Sequence, residues 1–320
     1  MRIRTATAAL AATSLAAVAG LTAASASAAV ISPSTAASTS TLAGDWAPFS
    51  RCPVDSPSML AADGKTVVAD CNTSDSPSGS IKLGNTTAAT GDSNLQFGLL
   101  FGSGPFTIVP PSGGALAAAP VQIPGGLLGL MCPSNILLVS SLCQEATGSS
   151  LNTVTAVVQP AGNPSQFNLG AGLSTGQPIL AVPVKIQLQN PLLGSRCYIG
   201  SNSDPIVLHP ENLTAPTVSI QNFDADGTPD PGGTMADIVL TGATQGDSTF
   251  SVPGASGCGP LGLADEAIDL KDGLPSPSGN NKLVLNDATT HALGGFANPA
   301  GQYPNEGQAL SAAWHAAVQP

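Results

Sequence analysis

Residues 182–188 read Val-Pro-Val-Lys-Ile-Gln-Leu, and this segment indicates the fold class most clearly. The Val, Ile and Leu residues alternate with Pro, Lys and Gln, a period of two residues that is typical of a strand with one buried face. Pro183 has no amide hydrogen, so it predicts an edge strand or a strand that begins irregularly. Many further short segments have strand character, with clusters of Gly, Pro, Asn and Ser between them. This density of short strands predicts an all-β fold, a β-sandwich (or two) or a barrel-like sheet.

The composition excludes two other classes of protein. The 320 residues include 36 Gly and 28 Pro, 42% are hydrophobic and only 9% are charged. Disordered chains are poor in apolar residues and rich in charge, and coiled coils need abundant Glu, Lys and Arg. Very little helix is therefore expected, and we predict it only for 133–142 and 261–270. The segment 310–318 fits either structure, and we expect a strand because the neighbouring pattern is β.

The first 28 residues have the features of a signal peptide. Arg2 and Arg4 precede an apolar stretch rich in Ala, and Ala26-Ser27-Ala28 resembles a cleavage site. No later stretch has the length of a membrane span, so we expect a bacterial protein that is secreted and extracellular. Without the two arginines, seven basic residues remain against 20 acidic ones, a net charge of −13. Because this field repels phosphates, a nucleic-acid partner is not expected.

Six cysteines follow the predicted signal peptide, and an even number in a secreted chain indicates disulfides. Six cysteines allow 15 pairings. Pairing of nearest neighbours closes short loops without crossing. It predicts three bonds, Cys52–Cys71, Cys132–Cys143 and Cys197–Cys258.

The charge distribution suggests how the chain is divided. Residues 29–44 are rich in Ser, Thr and Ala and are predicted to form a flexible arm. Charged residues are scarce between 93 and 203, whereas acidic residues are concentrated after Asp204. We therefore expect one β domain at 45–195 and another at 196–320, although the two could be halves of one continuous sandwich.

The most specific chemical motif is the acidic segment 222–230. Asn222, Asp224, Asp226 and Asp230 follow the first half of a calcium-binding loop, with Gly227 at the turn. The acidic residue expected at the twelfth position is missing, since Gly233 stands there. A structural calcium ion and a solvated acidic hairpin loop are the two interpretations, and no other cofactor is expected.

Catalytic and ligand-binding signals are weaker. His209 next to Glu211 could form an acid–base pair, but no serine or cysteine accompanies them in a nucleophile motif. The uncharged segment 123–144 could cover one end of a β-core, or it could bind a lipid or another hydrophobic partner.

Four stretches resemble an uncharacterised family of secreted proteins from high-GC Gram-positive bacteria. They begin at residues 120, 197, 246 and 273, and read PVQIPGGLLGLMCPSN, CYIGSNSDPIVLHPENLTAPTV, GDSTFSVPGASGCG and GLPSPSGNNKLVLNDAT. The resemblance implies the compartment, and it implies no activity, cofactor or catalytic residue.

The sequence thus predicts a secreted, non-enzymatic structural or binding protein of the cell surface or medium. A carrier of a hydrophobic ligand that uses 123–144 and a secreted hydrolase are the alternatives. The oligomeric state stays open.

Overall fold

Two antiparallel β-sheets form the framework of the structure, a computed structural model that describes residues 41–132, 137–146, 150–296 and 305–319. The predicted signal peptide and residues 29–40 of the predicted arm lie outside the described residues. Within them the strands are β1 (Val67–Ser76), β2 (Ser78–Leu83), β3 (Thr86–Thr90), β4 (Ser93–Gly102), β5 (Thr107–Val109), β6 (Leu116–Ala118), β7 (Val121–Gln122), β8 (Thr155–Pro160), β9 (Val182–Gln189), β10 (Tyr198–Ile199), β11 (Ile206–Leu208), β12 (Glu211–Asn212), β13 (Thr217–Phe223), β14 (Met235–Asp247), β15 (Ala255–Ser256) and β16 (Lys282–Phe296).

Helices are short. The α-helices of the described residues are α1 (Pro57–Leu60), α2 (Gly126–Met131), α3 (Leu137–Ala146), α4 (Leu169–Gly172), α5 (Asp265–Asp272) and α6 (Glu306–Ala316). Three 3-10 helices lie at Gly44–Phe49, Ser150–Asn152 and Pro260–Gly262. In the part of the chain described here, none of these helices combines the length and apolar character needed to cross a membrane.

The first sheet is built on the two longest strands, β14 and β16. β1 and β2 pair with successive parts of β16 and are separated only by Pro77. β3 pairs with β2 and β4 pairs with β1, and only residues 91–92 separate β3 from β4. The order across the sheet is β13 or β12, then β14, β16, β1, β4 and finally β5 or β6. This order places the polar strand β1 in the middle of the sheet.

The second sheet has the order β15, β10, β9, β8 and β7, with β11 also paired to β9. The edge position expected for 182–188 is wrong, because β9 has β8 on one side and β10 and β11 on the other. Pro183 is tolerated as the second residue of the strand, where its carbonyl oxygen accepts a hydrogen bond from the amide of Ala161 (3.0 Å). The all-β, sandwich-like fold class is confirmed, and neither sheet closes into a barrel within the described residues.

Both predicted β segments supply strands to both sheets. β1 to β6 of the first sheet come from 45–195, and β12, β13, β14 and β16 come from 196–320. The second sheet likewise combines β7 to β9 with β10, β11 and β15. Residues 41–44 of the predicted arm also join the fold, since Leu42 is buried and pairs with Val318.

Apolar side chains form two clusters, one on each face of the first sheet. One lies between the two sheets. The other lies on the outer face, where Trp46, Met59 and Trp314 pack against β1. The indole nitrogen of Trp314 donates to the carbonyl oxygen of Phe49 (2.9 Å), so this buried ring has no unpaired donor.

The C-terminal segment is a helix, and the strand expected at 310–318 is wrong. Leu310, Ala313 and Trp314 of α6 and the residue that follows the helix, Ala317, are buried on one face and complete the outer cluster. A strand would place Leu310 and Trp314 on one face as well, so their spacing alone did not separate the two structures. Ala313 and Ala317 are also buried, and only a helix places these two positions on the same face as Leu310 and Trp314.

The cysteines form the expected pairs, Cys52–Cys71, Cys132–Cys143 and Cys197–Cys258. The first ties the outer cluster to β1, and the third joins the residue before β10 to the segment before α5. The helix predicted at 261–270 appears as α5. The one predicted at 133–142 overlaps α3, although residues 133–136 lie outside the description.

Candidate ligand cavity

The two sheets enclose a cavity of about 410 Å³. Its volume falls within the range of roughly 300–1,000 Å³ that is common for small-molecule sites. Residues of both sheets line it, and most of them are apolar. The packing between the sheets is therefore incomplete in a region large enough to hold a ligand.

The strand register defines the wall formed by the first sheet. Two rows of lining residues cross the sheet from β13 inward, each residue paired with the next on the neighbouring strand. The first row is Val218, Leu240, Thr290, Ser74, Leu95 and Leu116, and the second is Ile220, Ile238, Ala292, Asn72 and Phe97. Neighbouring strands lie about 4.8 Å apart, so the five steps of the first row span about 24 Å. The cavity is elongated across the strands.

The second sheet supplies the opposite wall, which is wholly apolar along β9. The alternation seen in 182–188 points one face of this strand at the cavity, and all four residues of that face are buried. They are Val182, Val184, Ile186 and Leu188. The segment 182–188, which indicated the fold class, thus also forms part of a wall of the candidate site.

Exposed apolar residues mark where the cavity opens. Ile220 and Val218 line it from β13 and are 70% and 49% exposed. Leu169 and Leu173, in and after α4, line it too and are about half exposed. Because lining residues that are also exposed must lie at a rim, the cavity has an apolar opening between β13 and α4.

A few polar groups face the cavity from the first sheet. The Ser74 and Thr290 hydroxyls hydrogen-bond to each other (2.9 Å). The Nδ2 atom of Asn72 and the Oγ1 atom of Thr90 are buried and have no hydrogen-bond partner among the described residues. Most buried polar groups in proteins are hydrogen-bonded, so these two stand out.

Acidic residues line the cavity, but basic ones do not. The lining formed by the described residues includes Asp75 and Asp272 and contains no Lys, Arg or His. Burial raises the pKa of Asp272 to about 6, while a hydrogen bond from the Thr86 hydroxyl (2.6 Å) opposes that rise. The site has no cation that could pair with an anionic ligand.

The segment 123–144 contributes only part of the wall. Ile123 and Leu130 line the cavity. Leu127 and Met131 are buried in the core between the sheets, and Leu137 is exposed on α3. The strands of the two sheets, which lie mostly outside this segment, supply the larger part of the lining.

The acidic segment 222–230 covers the end of β13 and the first part of its connection to β14. The Asp226 carboxylate accepts a hydrogen bond from the Thr228 amide (2.9 Å), and Asp230 accepts one from the Gly232 amide (2.9 Å). The Asn222 side-chain nitrogen donates to the carbonyl oxygen of Pro231 (3.2 Å). Asp224 takes part through its backbone amide, which donates to Thr228. No group of three or more His, Cys, Asp or Glu side chains placed to hold a metal ion occurs in the described residues.

The histidines lie apart from the cavity. His209 is half-buried, and its backbone amide donates to the Asp247 carboxylate (2.6 Å). His291 pairs with Asp237 on the outer face of the first sheet (Nδ1 to Oδ2, 2.7 Å). On the surface, His315 and the Ser311 hydroxyl both bind Asp55. Because the serine donates to the aspartate and not to the histidine, this group lacks the relay of a serine hydrolase.

Sequence reasoning missed Asn72 and its polar neighbours. β1 reads Val-Val-Ala-Asp-Cys-Asn-Thr-Ser-Asp-Ser, with polar residues at consecutive positions of a strand that lies centrally in the sheet. A central strand is usually apolar on a buried face, so a polar run in a β-rich chain is the signal that could have indicated this wall.

The comparisons with known proteins add no assignment. No family model, curated protein or solved structure matches the chain, so the resemblance of the four stretches to a secreted family stays a prediction.

Proposed function

We propose that this protein is a secreted carrier that binds a hydrophobic ligand between its two sheets. The observation that carries the proposal is the elongated apolar cavity of about 410 Å³ with an exposed apolar rim. Natural cores are close-packed and contain few voids larger than a water molecule, because each one forfeits packing contacts. A void of this size is costly in a protein that serves only as a structural module.

The arrangement of the walls supports the same proposal. Apolar ligands gain about 0.8 kcal/mol for each methylene group removed from water. Both walls offer apolar side chains on regular strands, which hold the lining in place, and the Cys197–Cys258 disulfide ties the residue before β10 to the segment before α5. Three disulfides and the predicted signal peptide favour action outside the cell.

A fluorescence titration tests the proposal. We expect the apolar fluorophore N-phenylnaphthylamine to bind saturably, with one site per chain, and to be displaced by long-chain lipids. The variant Ala292→Phe places a ring in the middle of the second row of lining residues and is expected to weaken binding about tenfold or more. The matched control Ala312→Phe lies on the exposed face of α6 and should bind like the natural protein.

Two results would overturn the carrier proposal. One is the absence of saturable binding by the folded natural protein. The other is equal binding by the folded Ala292→Phe and Ala312→Phe variants, because the fluorophore would then bind elsewhere on the surface.

A further inference from the structure

We propose that the ligand is an uncharged lipid with an ester, ketone or hydroxyl oxygen inside its chain, and that this oxygen accepts a hydrogen bond from Asn72 Nδ2. This inference rests on the carrier function proposed above and specifies the class of ligand.

Asn72 is the residue that indicates an oxygen acceptor in the ligand. It is 7% exposed, lines the cavity, and its Nδ2 atom has no partner among the described residues. Its neighbours on the adjacent strands are Ala292 and Phe97, whose side chains offer no acceptor. An unsatisfied buried donor costs about 1–3 kcal/mol, and a ligand oxygen within reach would remove that cost.

The position of Asn72 indicates where the oxygen lies in the ligand. Three strand spacings, about 14 Å, separate Asn72 from the rim residue Ile220 across the second row. Apolar lining continues on the other side, through Phe97 and on to Leu95 and Leu116. The polar point thus has apolar wall on both sides, which matches an oxygen within a chain better than one at its end.

The charges of the lining argue for an uncharged ligand. A carboxylate or phosphate would be buried without a cation, and such burial is costly. Asp272 is hydrogen-bonded already, to the Thr86 hydroxyl, and the Asp75 carboxylate binds Asn94 on the outer face of the sheet. The Asp272 carboxyl group would repel an anionic ligand and does not compete for the Asn72 amide.

The test compares two probes of equal chain length, octyl octanoate and heptadecane, with palmitate as the charged probe. We expect the folded natural protein to bind the ester about three- to tenfold more tightly than the alkane, and palmitate most weakly. Thr and Val have nearly the same shape, so Asn72→Thr and Asn72→Val form a matched pair that differs in one hydroxyl group. Asn72→Val should bring the ratio of ester to alkane affinity to one or below, because the ester oxygen would be buried without a donor, while Asn72→Thr should keep part of the preference.

The outcomes separate this inference from the carrier proposal. If neither the ester nor the alkane binds the natural protein, the carrier proposal itself fails. If both bind and the affinity ratio is one, or if Asn72→Val keeps the ratio, the role of Asn72 is refuted. Thr90→Val removes the other unpartnered group among the described lining residues, and a loss of the ratio in this variant alone would refute the assignment to Asn72. If palmitate binds more tightly than the ester, the uncharged class is wrong.

Discussion

The cavity predicts opposite effects for the same substitution on the two faces of the first sheet. Ala292 lines the cavity from β16, whereas Ala69 faces the helices from β1 and is 0% exposed. We compare Ala292→Phe with Ala69→Phe. Both add one aromatic ring to a strand, so the strand preference of phenylalanine cancels in the comparison.

The expected magnitudes follow from the space at each position. Cavities of about 150 Å³ hold a benzene ring, so the 410 Å³ between the sheets leave room for the new side chain. Full burial of a phenylalanine side chain stabilises by about 1.5–3 kcal/mol, and incomplete contact in a wide cavity reduces this gain. Ala292→Phe should therefore raise the free energy of unfolding by up to about 2 kcal/mol. Overpacking of a filled core costs about 1–3 kcal/mol, which is the expected loss for Ala69→Phe.

Guanidinium denaturation with the disulfides intact measures both effects. The midpoint should move up or stay unchanged for Ala292→Phe and move down for Ala69→Phe, with similar slopes. If Ala292→Phe loses as much stability as Ala69→Phe at an unchanged slope, the two sheets are fully packed in solution. No space for a ligand would then exist between them.

Three further predictions follow from the same structure. In a series of esters, affinity should rise about fourfold per methylene group until the extended chain reaches about 24 Å, and then level off in displacement titrations. Burial raises the pKa of Glu306 to about 6, so its contribution to stability is complete below the unfolded pKa near 4 and is lost as the pH rises through 6. Glu306→Gln should reduce this pH-dependent loss of the free energy of unfolding by roughly 1 kcal/mol, a value that allows for solvent screening. Denaturation at pH 4 and 7 measures the difference. For the calcium hypothesis, we expect the melting temperature of chelator-treated protein to stay constant on adding Ca²⁺, because Asp226 and Asp230 already bind turn amides. A saturable rise would instead indicate a bound ion.

Local patterns were sufficient to predict the all-β fold class, and the spacing of the cysteines was sufficient to predict their pairs. The period of two in 182–188 depends only on which face of the strand is buried, and that alternation is visible in the sequence itself. The environment of β9 was less predictable. Whether a strand lies at an edge depends on β8, β10 and β11, which the alternation does not specify.

The cavity was not predictable because it depends on pairing between distant segments. Ser74 and Thr290 share a hydrogen bond across 216 residues of sequence, and both lie in a row that begins at Val218. The contacts of the histidines were not predictable for the same reason. His209 and Glu211 are close in sequence, whereas the pair that forms, His291 and Asp237, joins two different strands.

The polar residues of β1 argue that this wall is not optimised for stability alone. At Asn72 an aliphatic side chain would pack against Ala292 and Phe97 without leaving a buried donor unpaired, and it would have a higher strand preference. Natural proteins depart from such local rules mainly at functional sites, where the loss of stability is offset by binding. An unpaired amide beside an unfilled apolar space combines two such departures at one place in the sheet. A single ligand that is apolar along its chain and carries one oxygen would satisfy both, which is why we connect the cavity and Asn72 to the same function.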